Sequence, residues 1–146
     1  MMDLSKVVVI SMFCNKSGYI HEKNTVESTW GQEAIKAGLK HIFYREASKD
    51  SELGLHGNVL CVKCGKDRKA TYDKTILAMK YVEENLKYDV LVKTNVSTYV
   101  NIDILKQLLE YKSANGNNLI YGNRLRLLNN LMYVRGDFTI IDRSIC

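Results

Sequence analysis

The chain has 146 residues, 46% of them hydrophobic and 25% charged, with a net charge of +5 and no proline. That length and balance fit one soluble globular domain spanning residues 1–146 and exclude a disordered or low-complexity chain. Apolar runs such as Val7-Val8-Val9-Ile10 are far too short to cross a bilayer, and no signal-peptide pattern opens the sequence, so a cytoplasmic protein without a transmembrane segment, or a piece cut from a longer protein, is expected.

In chain order, residues 6–12 (KVVVISM) form a continuous apolar run, as expected of a strand covered on both faces. Residues 25–37 read as a helix stopped by Gly38. Residues 40–45 and 58–63 read as the second and third strands. Residues 68–87 read as a long helix whose apolar stripe is Tyr72, Ile76, Met79, Val82 or Glu83, and Leu86, with Lys74, Lys80, Glu84 and Lys87 off it. A fourth strand follows at 88–93, and Asn101 is placed to cap a helix over 102–112. Residues 118–122 and 131–141 read as further strands around a turn at Asn129-Asn130. Alternating strands and helices with buried strands imply an α/β fold with a mostly parallel sheet.

The basic surplus has one local cluster, Lys63, Lys66, Arg68 and Lys69. It suits a solvated surface or an anionic ligand such as a nucleotide diphosphate. No aromatic–basic interleaving points to nucleic acid, which is not expected as a partner. Cys61 and Cys64 have C-x-x-C spacing, but they lie at the end of a strand rather than at a helix start. A four-thiolate zinc site would also need Cys14 and Cys146 to converge, so packed reduced thiols are the expectation.

In parallel sheets ligands lie beyond the carboxyl ends of strands. Two polar stretches occupy such places: Asn15-Lys16-Ser17-Gly18 after the first strand, and Lys93-Thr94-Asn95-Val96-Ser97-Thr98 after the fourth. No G-x-G-x-x-G or P-loop pattern is present, which argues against a dinucleotide-binding Rossmann domain or an NTPase.

Several stretches together resemble one family. Val26-Glu27-Ser28-Thr29-Trp30-Gly31 resembles the "IRETWG" segment of the β-1,3-galactosyltransferase and N-acetylglucosaminyltransferase-like glycosyltransferases. Lys74-Thr75 within a helix, then Tyr88-Asp89-Val90-Leu91-Val92-Lys93-Thr94, is similar to that family's "L-K-T … YDYLLKTDDD" run. The stretch from Asn95 to Asp103 falls on "DDDVFVNLD", and that from Val134 to Arg143 on "SGGGYVLSRD". The pieces occur in the family's order.

The resemblance implies a three-layer α/β/α, Rossmann-like GT-A domain. It implies transfer of a hexose or N-acetylhexosamine from a UDP-sugar, usually with manganese, to a glycan or surface-polysaccharide acceptor with inversion. It places Asn15, Lys16, Lys74, Lys93, Asn95 and Ser97 at the nucleotide sugar, and Gly136 and Asp137 on the acceptor side. The family's metal-holding D-x-D carboxylates fall on Asn95 and Ser97, whose neutral oxygens suit a hard cation poorly, so any Mn2+ there binds weakly. Lys93 or Lys16 would then neutralise the departing UDP. The catalytic base of the family lies beyond its last matched strand, where this chain ends, so the domain is expected to be truncated at its C-terminus. Two alternatives follow. One is a non-catalytic relative that binds nucleotide sugar weakly, forms a homo-oligomer or relies on a partner subunit to complete it. The other is a basic nucleotide- or nucleic-acid-binding module with an unrelated α/β fold.

Overall fold

The computed structural model describes residues 2–65, 67, 70–115, 120–126 and 132–145. Among them the strands are β1 (Val7–Met12), β2 (Lys40–Glu46), β3 (Gly54–His56), β4 (Val59–Val62), β5 (Val90–Asn95), β6 (Ile120–Arg126) and β7 (Met132–Asp142). The helices are α1 (Ser17–Ser28), α2 (Trp30–Lys36), α3 (Ala70–Asn85) and α4 (Ile102–Asn115). The strands form one sheet in the order β3-β4-β2-β1-β5-β7-β6. β1 pairs in parallel with both β2 and β5, β2 in parallel with β4, and the remaining pairings are antiparallel, so only β3 and β7 run against the other strands. The fold class is therefore α/β with a mostly parallel sheet.

β1 shows why an all-apolar run makes a central strand. Val7 and Val9 pack with α1, α2 and α4 on one face, through Val26, Trp30, Ala34, Leu105 and Leu109. Val8 and Ile10 pack with α3 on the other, through Ala78 and Val82. Both faces are covered, so alternation gives way to continuous burial. β2 lies on one side of β1 and β5 on the other. Right-handed crossovers in opposite directions place their helices on opposite faces.

Local chemistry sets several boundaries. The Asn101 side-chain oxygen accepts from the Ile104 amide at 3.0 Å, the expected N-cap of α4. Gly38, at φ +94°, ends α2. There Leu39 N–H bonds the Ala34 carbonyl and Gly38 N–H the Ile35 carbonyl, each at 3.0 Å, in a Schellman arrangement.

Three expectations need correction. The helix expected over 25–37 is two helices: α1 begins at Ser17, and Thr29 breaks the run at φ −121°, ψ −117°. α1 buries only Val26, so no apolar stripe announces its first half. The α3 stripe is also different. Tyr72 and Ile76 are exposed, at 77% and 61%, while Ala70, Lys74, Ala78 and Val82 face the sheet. Small alanines let the helix backbone approach, and the lysine among them is neutralised by an acid from β2. The short strand β3, antiparallel to β4, had no signal in three residues of Gly-Leu-His. The expected turn at Asn129-Asn130 lies outside the described residues.

Gly31 sits at the junction of α1 and α2, where an added Cβ would lie 2.7 Å from the Val26 carbonyl oxygen and 3.2 Å from His41 Nδ1. Gly31→Ala is expected to destabilise the protein by about 1–3 kcal/mol through overpacking. Gly18→Ala, whose Cβ meets nothing within 4 Å, is expected to be neutral or stabilising by up to about 1 kcal/mol. Urea unfolding of the two variants checks the contrast.

Candidate functional site

The strand order turns back at β1, because the chain builds first toward β2 and later toward β5. A crevice therefore opens beyond the carboxyl ends of these strands. α1 crosses this end and has a cleft on each side. The larger, about 650 Å3, lies toward β2 and is lined by Phe13, Asn15, Lys23, Arg45, Ser51 and His56 among others. The smaller, about 250 Å3, lies toward the end of β5 and is lined by Glu22, Thr25, Trp30, Ser97, Thr98 and Tyr99 among others.

A buried ion pair underlies the crevice on the α3 face. Lys74 Nζ donates to Glu46 Oε2 at 2.5 Å and approaches Cys14 Sγ at 3.6 Å. The Asn15 amide donates to Glu46 Oε1 at 3.3 Å. Burial alone would raise the Glu46 carboxyl. The hydrogen bonds from Lys74 and from backbone amides outweigh it and hold the group below the usual glutamate value. Burial likewise opposes the Lys74 charge, but the Glu46 hydrogen bond and charge win and raise the lysine above its ordinary value. Lys74 is therefore not a surface lysine: it ties α3 to the end of β2.

The other expected residues separate. Asn15 lines the larger cleft. Lys16 is exposed and occupies the N-cap position of α1 without a side-chain cap. Lys93 is buried and donates to Asn95 Oδ1 at 3.0 Å. Ser97 is exposed and lines the smaller cleft. Val96 N–H still bonds the Met12 carbonyl and Thr98 N–H the Asn95 carbonyl, which fixes the turn that carries Ser97. Gly136 and Asp137 lie in β7 where its register against β6 shifts: Gly122 faces Thr139 but Arg124 faces Val134. The Asp137 side chain lies outside what is described, as do Lys66, Arg68, Lys69 and Cys146.

Asn95 and Ser97 do not suit manganese. Both oxygens are neutral, and the Asn95 oxygen already accepts from an ammonium, which would repel a divalent cation. Among the described residues no group of three or more His, Cys, Asp or Glu side chains is placed to hold a metal ion. Cys14, Cys61 and Cys64 are free thiols, and burial raises the Cys64 thiol above its usual value. No helix among the described residues is long and apolar enough to cross a membrane.

Trp30 and His41 belong to the core. Trp30 is 1% exposed and stacks on the His41 ring, centroids 4.9 Å apart. His41 Nε2 shares a 2.7 Å hydrogen bond with the fully buried Ser11 hydroxyl. Burial pushes the imidazole down to about 4, so it is neutral at pH 7. Glu27 bonds Lys23 at 2.8 Å and Asn58 at 2.7 Å.

Three residues of this region carried no signal in the sequence: Glu46, Arg45 and Glu22. The Arg45 guanidinium sits over the Phe13 ring at 5.9 Å, and its Nε is buried without a hydrogen-bond partner among the described residues. Glu22 Oε2 is likewise buried and without a partner among the described residues. No protein-family model matches the chain, and no curated protein sequence matches it.

Lys74→Met leaves the Glu46 carboxylate buried and unpaired and is expected to cost about 3–5 kcal/mol at neutral pH. In the wild type, the Glu46 contribution is present above the unfolded glutamate value and is lost as pH falls through its lowered folded value. The Lys74 contribution is present below the unfolded lysine value and is lost as pH rises through its raised folded value. Urea unfolding from pH 7 downward is therefore expected to show the deficit of Lys74→Met shrinking in acid, where Glu46 is protonated in both proteins. A deficit that stays constant would contradict the assignment.

Proposed function

We propose that the chain is a GT-A-like nucleotide-sugar-binding domain related to hexosyltransferases, with the nucleotide of a UDP-sugar in the larger cleft. One observation carries this reading. Two segments that resemble the transferase family, Val26–Gly31 and Asn95–Asp103, lie 64 or more residues apart in sequence yet meet across the smaller cleft, through Val26, Thr29 and Trp30 on one wall and Val96–Tyr99 on the other. They meet at the carboxyl ends of the central strands, where an α/β sheet takes its ligands.

The larger cleft suits the nucleotide. Phe13 and Val59 offer apolar surface, and Lys23 and Arg45 offer positive charge beside two acids, Asp50 and Glu52. Asn15 lines the cleft, and Lys16 follows it at the N-cap position of α1, whose first amides have no helical partner and favour the diphosphate. Lys93, Asn95 and Ser97, at and just beyond the end of β5, take the sugar-phosphate side in this reading. In this reading the charge on the leaving UDP is met by lysine and helix amides rather than by manganese. If active, the domain transfers a hexose or N-acetylhexosamine to a glycan acceptor.

A second reading is a degenerate, non-catalytic relative that retains nucleotide-sugar binding, alone or with a partner subunit. The replacement of both D-x-D acids by Asn95 and Ser97 favours it. Calorimetric titration with UDP, with and without manganese, tests the shared claim. Binding that manganese changes by no more than about twofold is expected from a donor set without carboxylates. Absence of UDP binding in both conditions would overturn the reading. A strong manganese requirement would restore a metal to Asn95 and Ser97.

A further inference from the structure

The wall between the two clefts is lightly held. α1 buries only Val26, and α2 buries Trp30, Gly31 and Ala34. With a cleft on each side, α1 is fully packed on neither flank. Trp30 is the one large side chain among the four, and it stacks on His41 with the ring planes 24° apart. Elements with so few buried apolar contacts belong to the low-stability end of a fold.

His41 receives this helix pair at a tight and dry point. Its ring is 6% exposed, and its Nε2 shares a hydrogen bond with the fully buried Ser11 hydroxyl. Its Nδ1 lies so near Gly31 that a Cβ there would be 3.2 Å away. The Phe43 ring also lies against it, centroids 4.5 Å apart. A neutral imidazole suits this place, with one nitrogen donating and the other accepting. Protonated, both nitrogens must donate, and the charge has no water around it.

The neighbours do not offset that charge. Ser11 from β1, Trp30 and Gly31 from α2 and Phe43 from β2 bring none. Glu27 and Lys23, both on α1, act on the ring with opposite sign, and Glu27 is already bonded to Lys23 and Asn58. Burial therefore dominates and holds His41 at about 4, against 6.5 for a free histidine.

We propose that protonation of His41 releases α1 and α2 from the sheet and merges the two clefts, an acid-operated opening of the wall between them. The inference rests on packing and holds whatever ligand the clefts take. The released ring binds a proton that the docked ring does not. Docking is therefore fully favoured above 6.5, and release becomes about tenfold easier per pH unit as pH falls from 6.5 to about 4. Glu27 acts in a lower window. Burial raises its carboxyl, the hydrogen bonds from Lys23 and Asn58 outweigh burial, and its contribution is lost only below 4.5.

Amide hydrogen exchange of the full chain tests this, read residue by residue by NMR from neutral pH down to 4.5 and corrected for the intrinsic pH dependence of exchange. Protection over residues 17–36 is expected to fall about tenfold per pH unit below 6.5, while β5 and α4 keep theirs. The His41 ring signals are expected to titrate well below 6.5 in the same samples. His41→Gln keeps a hydrogen-bonding group for Ser11 but takes no proton, and is expected to abolish the pH dependence, whereas Glu27→Gln is expected to keep it. Three results would overturn the proposal: a His41 ring that titrates near 6.5, protection lost equally from β5 and α4, or a wild-type pH dependence in His41→Gln. The first two need no variant, so they decide the matter even where His41→Gln fails to fold.

Discussion

Everything in this domain is arranged around one strand that has no free side. β1 is hydrogen-bonded to β2 and β5 along both edges and packed by helices on both faces, and Val7, Val8, Val9 and Ile10 are at most 1% exposed. Four consecutive apolar side chains satisfy that constraint and an alternating strand would not. The consequences follow from handedness. The chain leaves β1 toward β2 by one face and later reaches β5 by the other, so the connections diverge at the carboxyl end. The crevice there comes from the topology, and the loop residues decide what it holds.

Charge at this end is distributed unevenly in depth. The Glu46–Lys74 pair lies beneath the crevice, buried and mutually satisfied, and fixes α3 against the end of β2. Lys93 is likewise buried, with its ammonium on Asn95. Lys16 stands at the start of α1 and is exposed. A pair as deep as Glu46–Lys74 serves position rather than net attraction. Above it, the clefts are lined by Asn15, Lys23 and Arg45 on one side of α1 and by Glu22 and Ser97 on the other. The two clefts thus differ in chemistry: the one toward β2 has mixed charge, Lys23 and Arg45 beside Asp50 and Glu52, and the one toward β5 is lined mainly by hydroxyl-bearing and apolar side chains.

The parts of the fold legible in the sequence are those where one local rule suffices. The apolar runs of β1, β2 and β5, the Asn101 cap and the Gly38 stop each follow from a few adjacent residues. α3 was misread because its buried face is built from two alanines, a valine and a lysine. Hydrophobicity there marks Tyr72 and Ile76, which are exposed, and the burial of Lys74 depends on Glu46, 28 residues earlier. The candidate site divides in the same way. Asn15 and Ser97 were placed by the rule that ligands sit at strand ends. Glu22 and Arg45 look like ordinary surface charges in a sequence, and only tertiary packing leaves an atom of each buried and, among the described residues, unpaired.

The central claim is that a nucleotide occupies the cleft between α1 and the segment that follows β2. A crystal of the protein soaked with UDP tests it directly. The account predicts density for the nucleotide against Phe13, Asn15 and Arg45, with the diphosphate toward Lys16 and the first turn of α1. A nucleotide bound elsewhere on the sheet, or a well-ordered cleft that stays empty at saturating UDP, would contradict it.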